Sequence, residues 1–285
     1  DLELNNIFTG GEQIRLYWRN NGNDRQVFNA DLEHPFIFNS RWGPSFNLDI
    51  YKQDSTFLNT ALQLKLNYFI NYRNRIAAIL TSNQSNNLLD QMQNDIQELS
   101  ASFYGVGYQY LIENDHPLFP NKFQLMADAT IGQRRYDRTT MNQTKLQATM
   151  SYLWSFNRKN YLFLQNSTGI LNSDNYFTNE LFRIGGVNSI RGFNEESIFA
   201  SLYSFVNLEY RFAPNNSSYL YTISDAAFTR NEVDNADQNI FSLGLGYAFS
   251  TNFGLLNLSY AIGKFDDQDI DFDNSRFHIK IISKF

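Results

Sequence analysis

The sequence of 285 residues contains no cysteine, only five prolines and only three histidines. The absence of cysteine excludes disulfides, thiol catalysis and cysteine-bound zinc. The sequence also lacks any apolar run of the roughly 18 residues that a transmembrane helix requires, so no such helix is predicted. Acidic residues outnumber basic ones, and the net charge of −6 argues against nucleic acid as a partner.

Aromatic residues, by contrast, make up 16% of the chain, with 26 Phe and 17 Tyr. Apolar and polar residues alternate over long stretches such as 240–250 and 254–265. The apolar face of the last segment, 275–285, consists of Phe277, Ile279, Ile281 and Phe285. Strands with one apolar face and abundant aromatics are typical of transmembrane β-barrels, in which every second side chain contacts lipid and aromatics line both interfaces.

About fifteen alternating segments are predicted to be strands. Their spans are 1–8, 12–20, 25–35, 43–53, 57–70, 73–84, 99–113, 121–134, 143–157, 160–171, 200–213, 218–229, 239–250, 254–265 and 275–285. The longer polar connections are 84–98, 134–142, 172–199, 229–238 and 266–274. Counting back from a periplasmic C-terminus places all of these longer connections outside the cell, as bacterial barrels have them.

The predicted fold class is therefore all-β, a transmembrane antiparallel β-barrel that occupies residues 1–285. The alternative is a water-soluble β-sandwich or a lipocalin-like barrel, whose strands would be shorter and whose inner face would be apolar. An odd strand count is awkward for a closed bacterial barrel, so we predict sixteen strands, the first of them preceding residue 1. No signal peptide is visible at Asp1, which indicates a mature, truncated or partial chain.

The segment 181–212 carries the most informative motifs. It begins as a long loop with paired glycines, Gly185 and Gly186, and ends in a strand with Glu209 on its polar face. Between them stands the tetrapeptide Ile190, Arg191, Gly192 and Phe193. This arrangement resembles the BamA/TamA superfamily of outer-membrane assembly and translocation barrels, which includes the two-partner secretion transporters. In that superfamily the longest outer loop folds back into the lumen and carries a (V/I/L)-R-G-(F/Y) motif at its tip.

Three further segments resemble the same superfamily. The stretch Asn5–Glu12 is similar to its Asn-rich periplasmic turn, with Thr9 in place of a glycine. The stretch 223–227 is similar to its x-D-x-G motif, with Asp225 at the acidic position and Ala227 in place of the glycine. The terminal Phe285 resembles the outer-membrane sorting signal.

The resemblance implies the organisation of the whole chain. It implies sixteen strands, five of them after the long loop, and a loop at about 172–199 that folds into the lumen. It also implies periplasmic POTRA domains upstream of residue 1.

Arg191 is the residue predicted to hold the long loop in the lumen. A buried guanidinium can pair with carboxylates through charge-assisted bonds, and that pairing offsets the entropy of ordering a long loop. Glu209 falls on the polar face of its strand, and Asp225 can fall inward on the next strand. The alternative reading is an exposed loop arginine that contacts only water. The resemblance favours the anchor.

Other candidate sites are weaker. The acidic residues of 266–274 suit a calcium ion, but no glycine supports a tight metal loop, so a solvated loop is the favoured reading. The histidines His34, His116 and His278 are scattered, and no cluster of Ser, His and acidic residues indicates catalysis. The stretch 84–98 has near-helical apolar spacing and suggests a short outer helix. No catalytic residue, metal or cofactor is predicted.

The resemblance implies that the protein inserts outer-membrane proteins or moves proteins across the outer membrane. It further implies a weak contact between the first and last strands, where 275–285 exchanges partners with a substrate strand by β-augmentation. The alternatives are a secretion pore for one dedicated partner protein and a passive diffusion porin. The implied partners are the outer-membrane bilayer with its lipopolysaccharide, unfolded outer-membrane or secreted proteins, and periplasmic or lipoprotein accessory subunits.

Overall fold

The computed structural model of the chain describes residues 2–7, 10–20, 25–88, 95–252, 254–266, 268–269 and 271–284. Its strands are β1 (Leu2–Asn5), β2 (Gln13–Asn20), β3 (Gln26–Glu33), β4 (Trp42–Gln53), β5 (Phe57–Phe69), β6 (Asn74–Asn87), β7 (Leu99–His116), β8 (Phe119–Tyr136), β9 (Thr139–Ser155), β10 (Asn160–Ser173), β11 (Phe182–Ile184), β12 (Ile198–Ala200), β13 (Leu202–Asn215), β14 (Ser218–Asn231), β15 (Ala236–Thr251), β16 (Gly254–Phe265) and β17 (Arg276–Lys284). Three single-turn 3-10 helices (Ile37–Asn39, Thr178–Glu180 and Phe272–Asn274) complete the elements of the described residues, and no helix there is long and apolar enough to cross a membrane.

Fifteen of these strands close into one barrel, which confirms the predicted fold class. Neighbouring strands are antiparallel, and β10 pairs directly with β13. The exception is the seam between β1 and β17, where two residue pairs are joined in parallel, Leu2 with Ser283 and Glu3 with Lys284. Because antiparallel neighbours reverse direction at every step, fifteen strands leave the first and the last pointing the same way. A sixteenth strand is not among the described residues and stays a prediction.

The alternation sets which side chains face lipid. In β15, Leu243 and Leu245 are 57% and 66% exposed on the outer surface, whereas Ser242 is buried on the lumen side. In β17, Phe277, Ile279 and Ile281 all lie on the outer surface. The outer surface is therefore apolar, as a bilayer requires.

Aromatic pairs lie near the periplasmic ends of the strands. Trp42 packs on Tyr68 with ring centroids 4.9 Å apart, and Tyr152 packs on Trp154 at 4.4 Å. Aromatic side chains with one apolar and one polar part suit the membrane interface, and these pairs form part of such a girdle.

Several predicted outer loops are strand instead. Cross-strand hydrogen bonds continue through most of 134–142, so that β8 and β9 are joined by residues 137–138 alone. Most of 229–238 likewise belongs to β14 and β15. The predicted helix at 84–98 is wrong at its start, because residues 84–87 continue β6. The alternation of apolar and polar side chains ends at the membrane boundary. Hydrogen bonding between strand backbones needs no apolar face, so the strands extend beyond that boundary.

Some predictions fall on residues outside the described part of the chain. These are most of the proposed helix (89–94), Thr9 in the Asn-rich turn, Asp267 in the acidic loop and the terminal Phe285.

The connection between β10 and β13, residues 174–201, is called the lumen loop below. Its centre is a short hairpin of β11 and β12. Apolar loop side chains, among them Phe182, Ile184 and Ile190, are buried against inward side chains of the barrel wall such as Tyr203 and Ile240. The lumen thus contains an apolar core, which the loop itself completes.

Candidate functional site

Arg191, at the tip of the lumen loop, bonds the Asp225 carboxylate of β14 in three ways. Its backbone N–H donates to Oδ2 at 3.0 Å, its Nε donates to the same oxygen at 2.9 Å, and its Nη2 donates to Oδ1 at 2.5 Å. A guanidinium fork matched to a carboxylate is the strongest geometry for such a pair. The loop tip is therefore fixed in both position and orientation.

Glu209 of β13 is the second counter-charge. One of its oxygens accepts from Nη1 of Arg191, and the other accepts from Nε of Arg211 at 2.8 Å. Arg191, Glu209 and Asp225 are each about 5% exposed. Burial alone lowers the pKa of Arg191, but its bonds to Asp225 and the charges of both carboxylates raise that pKa above its ordinary value. Two guanidinium groups and two carboxylates thus form a neutral, buried network.

The other residues of the tetrapeptide seat the loop on the wall. Ile190 is fully buried in the apolar core. Gly192 has φ +83°, and a Cβ there would lie 2.6 Å from the backbone nitrogen of Gly263, so only glycine permits this approach to β16. Phe193 covers Gly263 and packs against Phe265 with ring centroids 5.1 Å apart.

The paired glycines make the turn that precedes the tetrapeptide. Gly185 and Gly186 both have positive φ, at +112° and +92°. The N–H of Gly186 donates to the carbonyl of Ile190 at 2.9 Å, and the N–H of Gly185 donates to the Ser189 hydroxyl at 2.7 Å. The turn directs the Arg191 side chain toward the inner wall of the barrel.

A second buried ion pair holds the start of the lumen loop and was missed in the sequence. Glu180 pairs with Arg134 of β8 and accepts from Gln143 of β9 at 2.8 Å. Arg134 is fully buried, and it also donates to the carbonyl of Asn175 at 3.2 Å. Burial raises the pKa of Glu180 by more than the charge of Arg134 lowers it. The only sign of this ion pair in the sequence was Arg134, which lies where the predicted strand 121–134 meets the predicted loop 134–142.

The remaining sequence candidates lie elsewhere. His278 faces the lumen on β17, where its Nε2 accepts from the N–H of Gly192 at 3.3 Å. His34 and His116 are far apart in the barrel order, on the β3–β4 connection and on β7. Among the described residues, no group of three or more His, Asp or Glu side chains is arranged to hold a metal ion.

The network positions a loop and contains no nucleophile. Its chemistry is ion pairing between guanidinium groups and carboxylates, and these bonds hold the lumen loop against the inner wall of the barrel.

A sequence model of the haemolysin secretion/activation proteins ShlB/FhaC/HecB matches residues 51–249. The match covers more than half of the chain and includes the lumen loop with Glu209 and Asp225. The chain belongs to this family. The ShlB/FhaC/HecB family stands in the two-partner secretion branch of the BamA/TamA superfamily, and it was the superfamily that the sequence motifs indicated. Its members are secretion barrels of the bacterial outer membrane, and that location applies to this chain.

Solved structures share the barrel of this ShlB/FhaC/HecB family member. BamA from Haemophilus ducreyi lacking POTRA domains 1–3 has a TM-score of 0.69 and 16% identity, covering 96% of this chain and 65% of that one. CdiB from Acinetobacter baumannii has a TM-score of 0.65 and 14% identity, covering 98% and 55%. CdiB from Escherichia coli has a TM-score of 0.62 and 11% identity, covering 96% and 57%.

Because the sequence identities are only 11–16%, the similarity to these solved structures shows the fold alone. The chain spans between 55% and 65% of the length of these solved chains. A comparison with curated proteins gives no significant match.

Proposed function

We propose that this barrel secretes one dedicated partner protein across the outer membrane, as an unfolded chain that passes through the lumen. The observation that carries the proposal is the family match over 51–249, which spans the wall and the lumen loop together. The sequence motifs alone predicted insertion or translocation of proteins and left a dedicated secretion pore as an alternative, because the motifs are common to both branches of the superfamily.

The filled lumen supports a gated pore. Two spaces lined by residues of the barrel wall have volumes of about 420 and 470 Å³, the size of small-molecule pockets, and Asn188 of the lumen loop borders the larger one. A polypeptide needs a continuous passage, so the lumen loop has to leave before a substrate can pass. A passive porin, in contrast, requires an open channel at rest, and this lumen has its loop in place.

The polar anchor makes such a displacement reversible. Arg191, Glu209 and Asp225 are held by charge-assisted bonds, and all three regain water in an opened, water-filled lumen. We propose that the entering substrate replaces the apolar contacts that Ile190 and its neighbours lose. The carboxylates then remain on the wall and recapture the arginine after the substrate has passed.

The proposed partners follow from this function. They are an unfolded secreted protein, the outer-membrane bilayer with lipopolysaccharide on its outer leaflet, and periplasmic POTRA domains or accessory subunits that deliver the substrate. The proposed lipid contact rests on the apolar outer surface of β15 and β17.

Insertion of outer-membrane proteins is the second candidate, and the likeness of this barrel to BamA favours it. In this function β17 pairs with an incoming substrate strand by β-augmentation. Secretion uses the lumen, whereas insertion uses the seam, so the two functions predict different contacts with the substrate.

Site-specific photocrosslinking in the native outer membrane tests the choice. A photoreactive residue at Asn83, which lines the lumen, is compared with one at Phe277, which faces lipid beside the seam. Secretion predicts that Asn83 crosslinks a polypeptide that is later found outside the cell. Crosslinks to outer-membrane proteins from Phe277 alone would overturn secretion in favour of insertion, and crosslinks to neither class would overturn both.

A further inference from the structure

A cavity of about 300 Å³ lies between the start of the lumen loop and the barrel wall. The loop lines it with residues 179–183 and Glu196, and the wall lines it with side chains of β4–β7, β9 and β10. Amides such as Asn83 and Gln143 make the wall side polar, and the Phe182 ring gives the loop side an apolar surface. Sites for small molecules combine apolar surface with a few polar groups in this way, and the volume suits a small organic molecule.

Lys145 of β9 brings an ammonium group to this cavity. Among the described residues, its Nζ donates no hydrogen bond and has no carboxylate partner, and it lies 4.7 Å from the centroid of the Phe182 ring. The face of an aromatic ring attracts a cation but carries no net charge. The ring therefore replaces only part of the hydration that a partly buried ammonium group loses.

The carboxylates that line the cavity are already paired with arginines. Asp49 and Glu196 both pair with Arg183, at 3.3 and 3.2 Å. Glu180 pairs with Arg134. Within the described lining, the lysine ammonium group is thus left as a positive charge without a counter-charge.

Asn83 of β6 adds an acceptor that is also unmatched. Its Oδ1 is buried and accepts no hydrogen bond from any described residue. Buried carbonyl oxygens are nearly always matched by a donor, so this oxygen marks a place for a donor group. The cavity therefore offers a cation and an acceptor, which together suit a molecule that carries an anionic group and a hydroxyl or N–H group.

We propose that this cavity binds a small organic anion, whose anionic group pairs with Lys145 and whose hydroxyl or N–H group donates to Asn83. The ligand contacts the wall and residues 179–183 of the lumen loop together, so it binds only while the start of the loop is in place. A ligand that binds one state alone stabilises that state by mass action. The anion thus holds the start of the loop in the lumen, whether the barrel secretes or inserts its substrate, and the proposal does not rest on the proposed function.

Calorimetric titration of the purified, folded barrel in detergent tests the site. The probes are three sugars with the same kind of ring: glucuronate carries a carboxylate, glucose 6-phosphate carries a phosphate, and glucose carries no charge. Lys145→Gln removes the unpaired charge. Lys65→Gln is the matched control, because Lys65 also lines the lumen but has the Asp128 carboxylate 2.6 Å from its Nζ. Heat-shifted gel mobility shows that each variant is folded.

The proposal predicts saturable binding of one charged sugar per barrel, in the wild type and in Lys65→Gln, and no saturable binding of glucose. The tighter of the two charged sugars shows whether the site prefers a carboxylate or a phosphate. Lys145→Gln should bind that sugar about tenfold more weakly or not at all, because a charge-assisted bond is lost. Asn83→Ala should weaken binding by a smaller factor, because a bond to a neutral acceptor is lost.

Protease cleavage links the site to the loop. The bound sugar should slow cleavage near residues 174–181 in the wild type and leave it unchanged in Lys145→Gln. The proposal is overturned if neither charged sugar binds saturably to the wild type, if glucose binds as tightly as they do, or if Lys145→Gln binds like the wild type. Saturable binding with unchanged cleavage would overturn the claim that the anion holds the loop.

Discussion

Arg191 and Asp225 lie 34 positions apart in the sequence and share three hydrogen bonds, one from the backbone and two from the guanidinium. The backbone bond persists only while the loop tip keeps its conformation, and the guanidinium bonds persist only while the tip stays in the lumen. The pair therefore reports both the folding and the placement of the lumen loop.

Removal of the Arg191 side chain should release the lumen loop. Arg191→Ala leaves Glu209 and Asp225 buried with fewer counter-charges, and stranding a partner of a buried pair costs about 3–5 kcal/mol. Protease cleavage within 174–201 should rise, while heat-modifiable gel mobility shows that the barrel stays folded. Arg191→Lys should restore little of the loop's protection from protease, because an ammonium group lacks the planar fork of a guanidinium.

Asp225→Ala should make the lumen loop as cleavable by protease as Arg191→Ala does. The double variant should lose little more of the loop's protection than either single variant. Fully additive losses would mean that the two residues act independently, which the geometry contradicts.

Gly192→Ala should free the lumen loop without touching a charge. The residue has φ +83°, and its new Cβ would press on the backbone of β16. Protease cleavage of the loop should approach that of Arg191→Ala. Ser197→Ala is the control, because among the described residues the Ser197 hydroxyl donates to the carbonyl of Asn194, within the loop itself. Cleavage of Gly192→Ala at the wild-type rate would show that the loop tip can sit farther from the wall.

Glu180→Gln should release the start of the lumen loop selectively. The change leaves Arg134 buried and without its counter-charge, at a cost of about 3–5 kcal/mol. Cleavage should appear near residues 174–181, whereas the loop tip, which Arg191 still holds, should remain protected. Mapping the cut sites by mass spectrometry checks this order. Cuts at the tip alone would show that Arg134 and Glu180 do not hold this end of the loop.

The facing of β5 predicts opposite effects for neighbouring residues. Leu64→Arg places a charge toward lipid and should cost about 2–4 kcal/mol near mid-membrane. Gln63→Arg points into a polar cavity and should cost little. Urea unfolding of both variants in liposomes makes the comparison, and equal losses would contradict the facing.

Gly246 of β15 alternates with outward-facing Leu245, but it is unsuitable for this comparison. A Cβ there would collide with the Tyr221 ring.

The orientation of the barrel predicts which cysteines are accessible on intact cells. Asn175→Cys, Asn235→Cys and Asp269→Cys lie at extracellular connections and should react with an impermeant maleimide. Asn215→Cys lies at the periplasmic turn between β13 and β14 and should not react. The 285 residues contain no cysteine, so within them only the introduced position can react. Labelling at Asn215 alone would reverse the topology.

Sequence alone predicted the strands and their facing, because a lipid-facing wall demands an apolar residue at every second position. The sequence did not predict the full length of the strands outside the membrane, where no side chain has to face lipid. Beyond the membrane, β8 continues to Tyr136 through backbone hydrogen bonds, and the predicted loop there was wrong. The alternation of inward and outward positions also predicted that Glu209 and Asp225 face the lumen. The resemblance of Ile190–Phe193 to the superfamily motif indicated Arg191 as their partner.

The other contacts of the lumen loop had no sequence signal. Arg134 and Glu180 are 46 positions apart in the sequence, and Arg19 and Glu195, which also form an ion pair, are 176 positions apart. Alternation shows that a side chain points into the lumen, but it does not show which side chain it meets across the lumen. Those partners depend on the path of the loop, which only the folded chain defines.

Covalent retention of the lumen loop tests most directly whether the loop has to leave for transport. The backbone carbonyl of Ser189 accepts from the Asn207 side chain at 2.7 Å, so a short bis-thiosulfonate reagent can join Ser189→Cys at the loop tip to Asn207→Cys on β13 through two reducible disulfides. The measured quantity is the amount of the partner protein, identified by the Asn83 crosslinks, that reaches the outside of the cell. Release should stop in the crosslinked double variant and resume on reduction, while both single-cysteine variants treated with the same reagent remain active. Equal release from the crosslinked and reduced double variant would contradict a lumen that opens by displacement of the loop.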